Sequence, residues 1–448
     1  MPDNPGLTTA PIPRLIRQIA VPASIGFFFN TMYNVVDTYF GGLISTQVLA
    51  AMSLSFPVFF IIIATGHGIS IGTTALIGSA LGASNTAEAK QFAVQGITFG
   101  VLVSVALTVF GLYVSPFIFS MLGASGEYLR DCLVYMDTIF KGALFFLLIS
   151  MLNAILNARG DTRSYRNFLI LGFCLNVLFD PWFIYGGFGV PAMGITGIAF
   201  ATVIIQVIGS VYLGFRVHQT GLLSGTRLQD FRPKLTPFKD IARQGFPSSL
   251  NFMTIALGTF VITFFVSKFG KEAVAAYGIG LRIEQIVLLP AIGLNIASLS
   301  IVAQNNGARL FDRITETLNT ALKYGGIIMG FGTIAVFVFG KYLMAVFSND
   351  ITVIQIGTTY LRVDALVLYA YVIIFINIAI LQGLKRPMFG LLIGIYRLVV
   401  APTIVFYVLI EILDFGLLGI WWGFFCVTWS GAGIAFFYTR RVLKNIAY

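Results

Sequence analysis

Long apolar runs separated by short polar breaks dominate the chain from end to end. Ile97 to Phe119 and Phe415 to Thr439 contain no charged residue at all. About 20 such residues in a helix cross the roughly 30 Å hydrocarbon core of a bilayer. A barrel strand would instead be about ten residues of alternating character, a pattern this chain lacks. Hydrocarbon offers the backbone no hydrogen bonds, so helices remain as the way to span it. The breaks place spans near 15–43, 48–80, 91–113, 130–157, 167–186 and 194–216, then near 240–267, 273–304, 317–339, 352–383, 388–410 and 417–439. The pattern predicts an all-α integral membrane protein of 12 transmembrane helices.

The opening apolar stretch follows Arg14 and Arg17, runs from Ile19 past Phe40, and is interrupted by Pro22, Asn30, Asn34 and Asp37. It lacks the short core and small-residue cleavage site of a secretory signal, and it reads as the first span. Composition agrees: 57% of the residues are hydrophobic and 10% are charged, against about 25% charged in a soluble domain.

The net charge of +10 raises nucleic acid as a partner, but the placement of the charges argues against it. Basic residues gather at one set of alternate loops, from Arg14 and Arg17 through Arg159 and Arg163 to Arg440 and Arg441; the opposite loops hold only Arg130, Lys268, Lys271 and Lys341. Such a bias sets orientation. It predicts a multi-pass protein of the plasma (inner) membrane with both termini cytoplasmic, and an even number of spans. The longest polar stretch, 219–238, reads as a cytoplasmic linker between bundles of six helices at 1–218 and 239–448, its basic residues facing lipid headgroups.

A repeat underlies the two bundles. Adding 225 to a position in the first half lands on the same residue type in the second: Pro22 on Pro247, Phe40 on Phe265, Ala50–Ala51 on Ala275–Ala276, Gly68 on Gly293, Gly82–Ala83 on Gly307–Ala308, Tyr135 on Tyr360 and Leu156 on Leu381. Each identity is weak alone, and the constant offset carries the weight. Six spans return the chain to its starting side, so the halves share a topology and are expected to be related by a pseudo-two-fold axis along the membrane normal.

Several transporter families have six-plus-six halves. The loop Gly82-Ala83-Ser84-Asn85-Thr86-Ala87-Glu88-Ala89-Lys90 has none of the Asp-Arg-rich signature of a major-facilitator transporter, which leaves that family as an alternative. The stretch from Pro22 to Pro57, with Tyr33-Asn34-Val35-Val36-Asp37-Thr38 and Leu49-Ala50-Ala51, resembles the first helices of the multidrug and toxic compound extrusion (MATE) family, as does its copy at Pro247. Gly278 to Gln285 resembles the DinF-like branch. The resemblance covers nearly the whole chain. It implies a pair of six-helix bundles that exports cationic or amphipathic compounds by alternating access, in exchange for protons or sodium ions, as a monomer with no cofactor.

An ionised carboxylate in the membrane is costly, so intramembrane acids are candidates for function. Asp37 lies deep in the first span, and Asp180 lies late in the fifth, four residues after Asn176 and on the same helix face. Together they could hold a proton or a cation. In the family that the chain resembles, an Asp of the first helix, an Asn and an Asp of the fifth and a Thr of the sixth form an ion site. Asp37, Asn176, Asp180 and Thr202 match it, with sodium as a possible occupant. The offset of 225 takes these four to Ile262, Ala401, Val405 and Val427, so the polar cluster belongs to one half only. Protonation of Asp37 is then expected to bend the first helix at Pro22, which lacks an amide donor. Four plainer readings stand beside these: Asp180 as the mark of a helix irregularity before Pro181, Asp37 as packing or interfacial polarity, Asn176 as interhelical glue, and Pro22 as a fixed kink. Asp137 with Lys141, Arg282 with Glu284 and Arg362 with Asp364 read as local charge pairs. A second-half cation site is disfavoured because no acid lies between Pro247 and Lys268.

Other classes find less support. Cys132, Cys174 and Cys426 are too scattered for a zinc pattern, and His67 and His218 have no second ligand at metal spacing. An intramembrane enzyme would need a clustered nucleophile and base, which the sequence does not offer. ATP-driven pumping would need a Gly-x-x-x-x-Gly-Lys-Ser/Thr loop, absent here. A flippase of a lipid-linked precursor remains an alternative, and Lys141, Arg282, Arg362 and Arg397 do not decide it.

Overall fold

The computed structural model describes residues 6–446, and among these the regular structure is helical, with no β-strand. The elements are α1 Ile12–Ile44, α2 Thr46–Gly82, α3 Thr86–Met121, α4 Gly126–Lys141, α5 Ala143–Ala158, α6 Arg163–Tyr185, α7 Ile195–Gln219, α8 Leu235–Ser267, α9 Lys271–Val287, α10 Leu289–Gly307, α11 Phe311–Ala345, α12 Ile351–Ala365, α13 Leu368–Gly383, α14 Met388–Ile395, α15 Ala401–Tyr407 and α16 Gly416–Ile446. Two π-helical turns, Tyr396–Val400 and Val408–Ile412, join α14 and α15 into one span of 25 residues. Among the described residues nine helices are long and apolar enough to cross a membrane. The number rises to 12 when α4 with α5, α9 with α10 and α12 with α13 are each taken as one bent span.

The repeat holds at the level of helix ends. Adding 225 to Thr46–Gly82 gives 271–307, the extent of α9 plus α10; added to Ala143–Ala158 it gives 368–383, the extent of α13. Left-handed residues recur at the same offset, Ser84 with Arg309 and Gly160 with Lys385. The halves differ where α2 is continuous and its counterpart breaks by 46° at Leu288. Pro290 follows that break and cannot donate to the preceding turn, while Thr65 holds the equivalent place in α2.

Both halves bend after their fourth helix, and a bend frees carbonyls that lipid cannot satisfy. The hydroxyl of Thr108 donates to the Phe140 carbonyl at 2.7 Å, and that of Thr333 donates to the Ala365 carbonyl at 2.7 Å. Donor and acceptor are both shifted by 225 between the two bonds. The bend is therefore a built feature of each half.

The chain forms two compact units, Ile25–Ser249 and the described residues of Met1–Ser24 with Leu250–Tyr448. The division falls inside α1 and α8 rather than in the 219–238 linker. Burial gives the physical reason. Ile12, Leu15, Ile16 and Ile19 pack in one core with Ala297, Ile301 and Ile314, and Ile241 packs with Ile69, Ile77 and Ile155. Asn305 Nδ2 donates to the Leu7 carbonyl at 3.0 Å, and Arg313 Nη2 donates to the Ala10 carbonyl at 2.6 Å. Each unit thus takes its opening segment from the other half of the sequence.

Glycines make these contacts close. A Cβ at Gly68 would run into the backbone of Ser249, and one at Gly293 would run into Ser24 Oγ and the Ala20 carbonyl. Ser24 and Ser249 are again 225 apart, two residues beyond Pro22 and Pro247. Gly68→Ala and Gly293→Ala are each expected to force the packed helices apart, at an overpacking cost of about 1–3 kcal/mol. Thermal unfolding in detergent should show a lowered apparent Tm for both. Gly330→Ala, where nothing lies within 4 Å of the added carbon, should leave it unchanged.

Candidate ion-coupling site

Asp37 on α1, Asn176 and Asp180 on α6, and Thr202 on α7 all belong to the Ile25–Ser249 unit. Asn176 and Asp180 are one turn apart and fully buried, while Asp37 is 8% exposed and Thr202 is 4% exposed. Asn176 Nδ2 donates to Asp37 Oδ1 at 2.7 Å. The carboxyls of Asp37 and Asp180 are close neighbours.

Counting donors defines the chemistry. No N–H or O–H of the described residues donates to either oxygen of Asp180 or to Asn176 Oδ1. Buried acceptors are normally satisfied. Two carboxyls side by side in such a place can be reconciled by one shared proton, or by a cation that takes oxygen ligands. Among the described residues no group of three or more His, Cys, Asp and Glu residues forms a metal site. Carboxylate and amide oxygens are the kind of acceptors that a proton or a hard cation takes.

Thr202 is tied in less directly. Its hydroxyl donates back to the Ile198 carbonyl on its own helix at 3.1 Å. Tyr33, one turn before Asp37 on α1, lies beside Thr202 and faces both carboxyls. Tyr135 on α4 is the other aromatic neighbour of the two acids and is 8% exposed. The sequence reading used Tyr33 as part of a motif and Tyr135 as a repeat identity, without placing either at the site.

Pro22 is buried within α1, and the helix continues through it. It lacks the amide that would bond to the Gln18 carbonyl. Ser24 Oγ donates to the Ala20 carbonyl at 2.9 Å, a back-bond that favours bending. The weak place in α1 coincides with the change of unit after Ser24.

The second half holds a different cluster. Tyr360 Oη donates to Glu284 Oε2 at 2.9 Å, Tyr371 also contacts Glu284, and the Arg397 guanidinium stacks 5.1 Å from the Tyr371 ring centre. Asp364 lies near Glu284, and Glu284, Asp364 and Arg397 are all buried. Arg397 stands in the first π-helical turn. The expected pairs Arg282 with Glu284 and Arg362 with Asp364 do not form, because side chains two apart on a helix do not face each other. Arg362 instead lies 5.7 Å over the Phe337 ring. Nor does Lys141 close on Asp137; among the described residues the ion pairs are Arg216 with Asp161, Lys268 with Glu411 and Lys271 with Glu272. The acid that meets Asp364 is Glu284 on α9, which lies beyond the Pro247 to Lys268 stretch. Tyr360, the repeat partner of Tyr135, was the available signal.

Known proteins share this architecture. Over 403 residues the chain is 29% identical to an FAD transporter of Shewanella oneidensis, covering 89% of this chain and 88% of the relative. It is 28% identical over 392 residues to the probable multidrug resistance protein YoeA of Bacillus subtilis, covering 86% and 84%. A solved MOP superfamily transporter from Pyrococcus furiosus superposes with a TM-score of 0.92 at 25% identity, covering 99% of this chain and 98% of that one. The MatE family model matches twice, at residues 22–182 and again at 247–408, in register with the internal repeat. By both copies together, the chain belongs to the multidrug and toxic compound extrusion (MATE) family of multi-pass membrane transporters.

Proposed function

We propose that the protein is an antiporter of the plasma (inner) membrane, with both termini cytoplasmic, which exports small cationic or amphipathic compounds by alternating access as a monomer. Inward flow of protons or sodium ions drives it. The observation that carries this reading is the buried pair Asp37 and Asp180, with Asn176 bonded to Asp37 and the Asp180 oxygens left as acceptors that a proton or a cation would satisfy. Loss of that occupant exposes two like charges to each other in a dry site, which favours rearrangement of α1 against α6. Pro22 is the hinge, since α1 is weakened there and changes unit two residues later. Thr202 and Tyr33 complete the site. The second-half cluster is structural in this reading: one guanidinium is buried near two carboxyls and stacks on Tyr371.

The Shewanella relative named as an FAD transporter supports a second reading of the cargo, an anionic flavin nucleotide. The same vesicle assay separates the two when both a cationic dye and FAD are offered.

Vesicles with a pH gradient or a sodium gradient imposed separately should show efflux under one of them. Asp37→Asn and Asp180→Asn should each reduce gradient-driven efflux to the leak of empty vesicles. Variants that export as well as the parent under both gradients would sink the coupling role. Pro22→Ala should slow turnover several-fold with an unchanged apparent Tm, and unaltered transport would remove the hinge while leaving the acids. Arg397→Leu removes the buried cation that stacks on Tyr371 near Glu284. It should lower the apparent Tm in detergent, and residual transport should keep the parent's ion dependence.

A further inference from the structure

The segment between α7 and α8 is held to α3 by side chains of that helix. Gln95 on α3 is 1% exposed, yet it is polar. Its Nε2 donates to the carbonyls of Asp230 at 2.7 Å and Arg232 at 2.9 Å, and its Oε1 accepts from the Lys234 amide at 2.9 Å. Thr98 Oγ1 donates to the Phe231 carbonyl at 3.2 Å, and Lys90 Nζ to the Ser224 carbonyl at 2.7 Å. A 3-10 turn at Leu228–Phe231 stiffens the centre. The connection is thus a fixed strap.

Its height along α3 is also fixed. The helix carries no charge after Lys90, and the charge-free run that spans hydrocarbon includes Ile97 onward. The strap's backbone from 230 to 234 bonds to Gln95 and Thr98, so it lies where that run begins. There the strap and the first residue of α8 present two large apolar side chains outward, Leu228 at 90% exposure and Leu235 at 85%. Arg227, Arg232, Lys234 and Lys239 are exposed around them. Of the nearby acids, Asp230 is engaged through Oδ2 by the Arg227 amide at 2.8 Å, and Asp240 is half-buried. Single exposed leucines need no explanation. Two on a rigid strap and the helix start that follows it, at the hydrocarbon boundary and among basic side chains, match the arrangement of an interfacial anchor, with apolar groups at the acyl border and cations at the phosphates.

We propose that this strap is a membrane-interface anchor that binds the headgroups of anionic phospholipids. The leucines set its depth, the basic residues set its preference for negative charge, and Gln95 holds both in register with the bundle. Lipid is the occupant that the position supplies, because the strap sits at the level where the bundle meets acyl chains.

Leu228→Trp provides a reporter at the strap, with the parent's four Trp residues as the subtracted background. The variant is reconstituted in bilayers in which either phosphatidylcholine or phosphatidylglycerol carries brominated chains, at equal mole fraction. The expected result is quenching by both, at least twofold stronger from brominated phosphatidylglycerol. Adding Arg232→Gln, Lys234→Gln and Lys239→Gln should remove the preference and keep the quenching. No quenching by either lipid would place the strap in water or against a soluble partner and overturn the proposal. Equal quenching by both in the Leu228→Trp protein would overturn the anionic preference, and that comparison decides even if the multiple variant fails to fold. Loss of the preference on adding excess inorganic phosphate would mark a site for the free anion and would also overturn it.

Discussion

Hydrocarbon supplies no hydrogen bonds and tolerates no bare charge, and that single constraint orders the molecule. Where the backbone must bend, a threonine from the adjacent long helix meets the freed carbonyl, once in each half. Where a guanidinium is buried, tyrosines and carboxyls surround it. The acceptor oxygens of Asn176 and Asp180 are among the buried side-chain atoms that the described residues leave without a partner, and here they stand where two carboxyls meet.

The glycine contacts connect that site to the rest of the fold. Gly293 admits α1 at Ser24, just past Pro22, and Gly68 admits α8 at Ser249, just past Pro247. Both crossing helices are therefore gripped beside their weakest turn. Beyond the grip, α1 runs on to Asp37 about three and a half turns after Ser24. Under the proposed coupling, Asp37 stands on a lever gripped at Ser24 by Gly293. In the second half the same lever carries Ile262 at the equivalent place and has nothing to respond with.

Much of this was legible in the sequence, for identifiable reasons. Spans show because crossing hydrocarbon demands length, and Asp37, Asn176 and Asp180 show because polar groups in such runs are rare. The bends after α4 and α12 do not show, since neither junction carries a proline and the charges beside them, Lys141 and Asp364, read as members of local pairs. The pairing of Arg282 with Glu284 misled because proximity along the chain was read as proximity in space; the helix turns the two apart. Tyr33 and Tyr135 were hidden among 18 tyrosines, most of which serve packing or the membrane interface. The exchange of opening segments was invisible for a deeper reason. Hydropathy says that Ile12 to Ile19 must be buried but not by which neighbours.

That exchange has a consequence in time. The turns of α1 before Ile25 belong to a unit whose remaining residues begin at Leu250. At roughly 5–20 residues per second of synthesis, they wait on the order of 10–45 s for their partners to leave the ribosome. During that interval Asn305 and Arg313, which later tie down the Leu7 and Ala10 carbonyls, have not been made. The earliest helix to emerge is among the last to be finished, and the insertion machinery must keep its leading turns from the wrong companions until then.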